Sequence, residues 1–184
     1  NVSSGNVDKA KEMQFTWAMA SYFSWYCLKE LKLKDILYVD ADIYFFNDPT
    51  ILNGFKDFGS IGLIQNRVPY NSVNGKYNVG IIYFKNDARG FECLQFWKDC
   101  LLDSNNKYVK EYGTCGDQKY LELFSKLFDG VFEYDTFIGH LAPWSVPYHR
   151  FLPDKKIIWS KKIQNLLFYH FSNFKCDYDK SAYL

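Results

Sequence analysis

Ile36-Leu37-Tyr38-Val39-Asp40-Ala41-Asp42-Ile43-Tyr44-Phe45-Phe46 is the stretch on which the fold turns. Its four strand-forming apolar residues in unbroken succession read as a strand buried on both faces, and the run stops abruptly at a carboxylate. Asp40 and Asp42 stand two apart just beyond it, so in extended geometry their carboxylates project to the same side and can share one divalent cation. A bare Asp-x-Asp is commonplace, and its bland reading puts Asp42 in a turn and Asp40 at a solvated strand end. The apolar run before the pair and the aromatic run after it weigh against that reading.

Upstream, Phe15, Ala18, Met19, Tyr22, Phe23, Tyr26 and Cys27 recur at helical spacing within residues 8 to 31, which predicts a buried helix closed by the charged run Lys29 to Lys34. Downstream, Asn47-Asp48-Pro49 marks a turn, with Pro49 placed to start a short helix through Ile51 and Leu52. Ser60 to Ile64 and Val79 to Phe84 are strand candidates, and Asn86 or Asp87 can cap a helix from Ala88 to Leu102. Asp117 opens another helix with Tyr120, Leu121, Phe124 and Leu127 inside, stopped by Gly130. Strands alternating with helices predict one α/β layered domain over residues 1–184 with a mostly parallel central sheet. In such sheets ligands sit beyond the carboxyl ends of the strands. Residues 139–160, with Pro143, Pro147 and Pro153 among aromatics, read as an irregular surface segment, and Trp144 and Tyr148 within it are candidates for an acceptor side or lid.

Composition narrows the function classes. A chain of 184 residues with 48% hydrophobic and 20% aromatic content can build a large core, which argues against disorder. Its 22 basic and 21 acidic residues nearly cancel and form no block, so there is no footprint for nucleic acid or an anionic membrane, and any anionic ligand must be held locally. The longest mostly apolar stretch, Trp17 to Leu28, falls short of the ~20 residues a bilayer span needs. Five cysteines, at 27, 93, 100, 115 and 176, are odd in number and lack a CxxC pair, against both a disulfide framework and a structural zinc. A cytoplasmic protein fits best, with peripheral membrane attachment or, in a eukaryote, the Golgi lumen as the other settings.

Three further features could carry chemistry. His170, inside the apolar run Leu166 to Phe171, can serve as a third ligand for Mn²⁺ or Mg²⁺, although a lone histidine there is more often a hydrogen-bonded core residue. Asp117-Gln118 has a bland reading as a helix cap, a contribution of ~1 kcal/mol. Tyr77-Asn78-Val79-Gly80 would ordinarily be a turn entering a strand.

The order and spacing of these pieces resemble glycosyltransferase family 8 and related bacterial polysaccharide-type transferases. The resemblance rests on Leu37 to Ile43, Tyr77 to Phe84, Gly116-Asp117-Gln118-Lys119-Tyr120-Leu121, Leu141-Ala142-Pro143-Trp144 and Tyr169-His170-Phe171. It implies a GT-A-like fold and a retaining transfer of sugar from a nucleotide diphosphate sugar, UDP-linked above all, to a glycan or lipid-linked acceptor. It implies that Asp40, Asp42 and His170 hold Mn²⁺ or Mg²⁺, and that Asp40, Asn78, Gly80, Asp117 and Gln118 bind the donor. Asp117 and Gln118 would also stand at the catalytic centre, neither assigned as a nucleophile. The chain departs from the pattern at Asn173 and Cys176, where the family commonly has Gly and Lys, with Lys175 one place early. Asn173 can supply the left-handed backbone of such a Gly. The family's first strands, which cradle the nucleotide base, would precede Phe15 and find too few residues there, so the expectation is a domain lacking them. Two other classes compete: a metal-dependent phosphohydrolase or nucleotidyltransferase, for which Asp57 and Asp87 are poorly placed as extra ligands, and a non-catalytic carbohydrate binder that stacks sugars on Trp144, Tyr148, His149 and Trp159.

Overall fold

The apolar run forms its strand. In the computed structural model, which describes residues 4–69, 75–103, 106–108, 117–173, 175–176 and 182–183, β1 spans Asp35–Val39. It lies at one edge of a four-stranded sheet with β3 (Ile61–Gln65), β4 (Tyr77–Lys85) and β5 (Val131–Glu133), in the order β1-β4-β3-β5. Gly116, Cys115 and the side chains of Lys175 and Cys176 lie outside the described residues.

The sheet is not mostly parallel, contrary to the sequence reading. β4 runs antiparallel to both β1 and β3, and only β3 and β5 are parallel. β3 and β4 are joined through residues 66–76, shorter than the dozen or more residues a parallel crossover requires. A strand covered on both faces is continuously apolar whichever way it runs, so composition could not decide the direction of β4. The consequence for the site is favourable: β1, β3 and β5 share one direction, so their carboxyl ends meet the start of β4 at a single sheet end.

Two cores sandwich the sheet. On one face Ile82 and Phe84 of β4 pack with Cys93, Leu94 and Trp97 of α2 (Ala88–Leu102) and with Leu121 and Phe124 of α3 (Leu121–Leu127). The Phe84, Trp97 and Phe124 rings sit 6.2 to 6.3 Å apart in tilted, stacked and edge-on pairs. Each such ring, fully buried, contributes ~1.5–3 kcal/mol through surface removed from water. The opposite face collects Ile64, Ile81, Tyr83, Tyr134, Leu167 and Phe168. Val79 and Ile82 both belong to the helical side, so the alternation of β4 slips once between them, where the β3–β4 register also shifts.

α2 begins as read: Asp87 caps it, its Oδ1 accepting from Gly90 N–H at 3.0 Å. The helix α1 (Ser4–Lys29) also forms, but its buried side is the small one. Ala18, Ala20, Ser21, Ser24 and Leu28 are buried, whereas Phe15 is 68% and Phe23 57% exposed. Between Phe15 and Leu28 apolar residues surround most of the helix, so their spacing alone does not identify the packed face. Among the described residues no helix is long and apolar enough to cross a membrane.

Residues 139–160 are not irregular. They supply β6 (Gly139–Leu141), β7 (Arg150–Leu152) and β8 (Lys156–Trp159), which join β2 (Ile43–Phe45) and β9 (Lys162–His170) in a second sheet. The two-residue turn between β8 and β9 places Ser160 and Lys161 at φ 47° and 65°. Turns of this left-handed kind normally announce themselves with Gly or Asn, and here they do not.

Candidate metal and donor site

Asp40, Ala41 and Asp42 form a turn, not an extended run: Ile43 N–H bonds back to the Asp40 carbonyl at 3.3 Å. The carboxylates converge all the same. Alternation along β1 puts Ile36 and Tyr38 on the helical face, and the next position on that side is Asp40, so the Tyr38 hydroxyl donates to Asp40 Oδ1 at 2.7 Å. Burial, then Asp40 itself, pushes the Tyr38 phenol up, which keeps it a donor. His170 arrives by strand register, because it is the partner of Ile43 in the β2–β9 pairing and therefore lies beside Asp42. Its Nε2 is 3.0 Å from Asp42 Oδ1 and 3.6 Å from Asp40 Oδ2. One ligand atom from each of the three residues lies within 4.8 Å of the others, an O, O, N donor set that could hold a divalent metal ion.

Behind this group stands the beginning of β4. Asn78 Oδ1 accepts from Gly80 N–H at 2.8 Å and faces His170 Nδ1 at 3.2 Å. Asn78 Nδ2 donates to Gln118 Oε1 at 3.1 Å. Gly80 carries the turn as well, its carbonyl accepting from Asp40 N–H at 2.9 Å. Asp117 does not cap its helix through its side chain, contrary to the bland reading; its carbonyl is pinned by Trp97 Nε1–H of α2 at 3.0 Å. Burial, reinforced by Asp40 against the opposing pull of local backbone N–H groups, pushes the Asp117 carboxyl up to about 7.

Asp40, Asp42, Asn78, Asp117, Gln118, Trp144, Tyr148 and His170 all line one open cleft of about 1010 Å³, which Thr16, Trp17 and Ala20 of α1 also line. No Lys or Arg is among its described lining residues. Trp144 closes over His170 edge-on, ring centroids 5.5 Å apart, and its indole N–H bonds the Asn66 carbonyl at 3.1 Å. Asn173, also at the rim, takes φ 63°, the left-handed conformation expected where the family has Gly. His149 and Trp159 stack on each other at 4.8 Å and do not line the cleft.

The sequence reading missed a buried polar brace beneath the cleft. Arg67, only 1% exposed, donates to Asp135 Oδ1 at 2.8 Å and to the Ile138 carbonyl at 2.7 Å. His140 Nε2 lies 2.8 Å from the same Asp135 oxygen. Burial opposes ionisation of Asp135, but His140 and Arg67 outweigh it and hold the carboxyl well below its ordinary value, whereas burial and Arg67 push His140 down to about 4. Arg67 sits in an ordinary polar stretch and Asp135 lies far along the chain, so no local pattern joins them.

No family model matches the chain. It is 29% identical over 177 residues to the uncharacterized protein YfnF of Bacillus subtilis, covering 89% of this chain and 58% of that one. It is 25% identical over 170 residues to the uncharacterized protein YfnD of the same organism, covering 88% and 54%. The chain thus spans little more than half the length of these curated relatives. A glycosyltransferase involved in the glycosylation of the major capsid of PBCV-1 superposes with a TM-score of 0.54 at 16% identity, over 85% of this chain and 71% of that structure. This mixed α/β domain, with its Asp-Asp-His group at one sheet end, is therefore similar in fold to a glycosyltransferase.

Proposed function

We propose that this chain carries the donor site of a metal-dependent, retaining glycosyltransferase related to family 8, taking sugar from a UDP-linked donor to a glycan or lipid-linked acceptor. The observation that carries the reading is the meeting of Asp40, Asp42 and His170, from two separate β-sheets, in the same cleft as Asp117 and Gln118. Asp40, Asp42 and His170 would hold Mn²⁺ or Mg²⁺. When bound, such an ion supplies Lewis-acid stabilisation of the charge that gathers on a departing diphosphate. Asp117 and Gln118, one wall away, bind and orient the transferred sugar; Asn78 and Gly80 hold that wall to the metal group. Trp144 and Tyr148 form the acceptor side, Tyr148 half exposed and free to meet a sugar ring.

Calorimetric titration with UDP, with and without Mn²⁺, tests this beside Asp42→Ala. The expected result is binding that requires both the metal and Asp42. Metal-independent binding, or binding that survives Asp42→Ala, would put the nucleotide elsewhere, and failure to bind UDP both by this folded chain and by a chain of its relatives' full length would end the reading.

A further inference from the structure

We infer that Asn78 acts on His170 and not on the sugar: a backbone N–H, that of Gly80, fixes through Asn78 which imidazole nitrogen is presented to the cation. The inference rests on the metal reading of Asp40, Asp42 and His170 given above.

The hydrogen bonds leave one assignment. Gly80 N–H can only donate, so the Asn78 side-chain atom 2.8 Å from it is the amide oxygen. The amide nitrogen then faces Gln118 Oε1 at 3.1 Å and Asn66 Oδ1 at 3.4 Å. The Asn66 end is pinned independently, because Asn66 Nδ2 donates to the Gly75 and Tyr77 carbonyls at 2.8 and 3.0 Å, which turns its oxygen toward Asn78. Both ends of the chain of amides are therefore set by groups that cannot exchange donor for acceptor.

Asn78 Oδ1 is an acceptor, and it lies 3.2 Å from His170 Nδ1, so the proton at that contact belongs to Nδ1. Nε2 is left as the atom directed at Asp42 and Asp40. A metal-bound histidine commonly donates its other ring N–H in this way, which fixes both tautomer and ring orientation. Asn78 has nothing left for a ligand. Its oxygen accepts twice, its nitrogen donates twice, and the residue is 6% exposed. Gly80 is equally committed: a Cβ there would lie 2.6 Å from Asn78 Oδ1 and 2.8 Å from His170 Nδ1, so a side chain would wedge the relay apart.

Asn78 is thus a positioning residue, and its test needs no turnover. Long-range ¹H–¹⁵N spectra of the histidines are expected to show His170 protonated at Nδ1 in the wild-type chain, and to keep that state with diamagnetic Cd²⁺ bound. Asn78→Ala should weaken Mn²⁺ binding by about 10–100-fold, the usual loss when a ligand's outer partner is removed. Asn78→Asp retains an acceptor for both Gly80 and His170 but loses the amide donor to Gln118 and Asn66, and is expected to recover only part of the Mn²⁺ affinity that Asn78→Ala loses. An unprotonated Nδ1 overturns the inference, as does an Asn78→Ala chain with unchanged Mn²⁺ affinity and only a raised donor KM, which would return Asn78 to the sugar. A wild-type chain that keeps Nδ1–H yet binds no Mn²⁺ would sink the metal reading while upholding the tautomer assignment.

Discussion

The Tyr38 hydroxyl and Asp40 Oδ1 are 2.7 Å apart, and that bond divides the Asp40 carboxylate: one oxygen is held by the phenol, the other faces His170 at 3.6 Å. Tyr38 thus prevents the carboxylate from rotating, although its ring otherwise belongs to the core beside Ile36. Tyr38→Phe keeps the ring and deletes the bond. Mn²⁺ affinity is expected to fall by about tenfold or more with the circular dichroism and melting temperature little changed, as for loss of an outer-shell partner; wild-type affinity would show the hydroxyl to be a bystander.

Gly80→Ala should be costly for its size. The added methyl has no room toward Asn78 or His170, and overpacking at such a site costs ~1–3 kcal/mol. Urea titration measures the loss of stability, and Mn²⁺ binding is expected to weaken with it. A variant as stable as wild type and fully able to bind metal would mean that this part of β4 yields easily.

Asp117 gives a pH signature. Its carboxyl is raised from 3.8 to about 7, so between those values the folded chain keeps a proton that the unfolded chain has released. The folded state therefore loses stability from this group as pH rises from about 4 to about 7, on the order of a few kcal/mol in all. Asp117→Asn removes this titrating group. In metal-free buffer the melting temperature of the variant should gain on that of wild type as pH rises through this window; a difference that stays flat would show that Asp117 is ionised throughout.

Arg67 and Asp135 are almost fully buried partners. Replacing Arg67 by Met leaves the Asp135 carboxylate without its guanidinium in a site that water does not reach, a change that typically costs ~3–5 kcal/mol. Chemical denaturation of Arg67→Met would measure it. The double variant Arg67→Met, Asp135→Leu should recover part of the loss, since no unpaired charge then remains inside.

Local features were legible in the sequence and long-range ones were not. The strand before Asp40 and the helix capped by Asp87 follow from neighbours within one turn or one strand, and both form, although the strand lies at a sheet edge and is only partly buried where its apolar run predicts burial on both faces. Motif order groups Asp40, Asp42 and His170, and the structure joins them for a reason no local pattern carries, the pairing of Ile43 with His170. Tyr38 read only as strand filling because its hydroxyl has meaning only once Asp40 is in place. The direction of β4 was hidden because burial on both faces erases the alternation that distinguishes strand environments. Asp154, Lys155, Ser160 and Lys161 hold left-handed conformations without a glycine among them, so the hairpins of the second sheet lack the residue that most often marks such turns.

The charge of the cleft sets how it answers its surroundings. Asp40, Asp42 and Asp117 line it and, among the described residues, no cationic side chain does. Among the described lining residues an anionic donor would meet the bound ion and no fixed cation, and the two ligands become reciprocal: whatever factor the ion adds to donor affinity, the donor must add to ion affinity. Occupancy by donor would follow free divalent cation more steeply than it follows ionic strength, and the concentration of that ion would act as a throttle on the site.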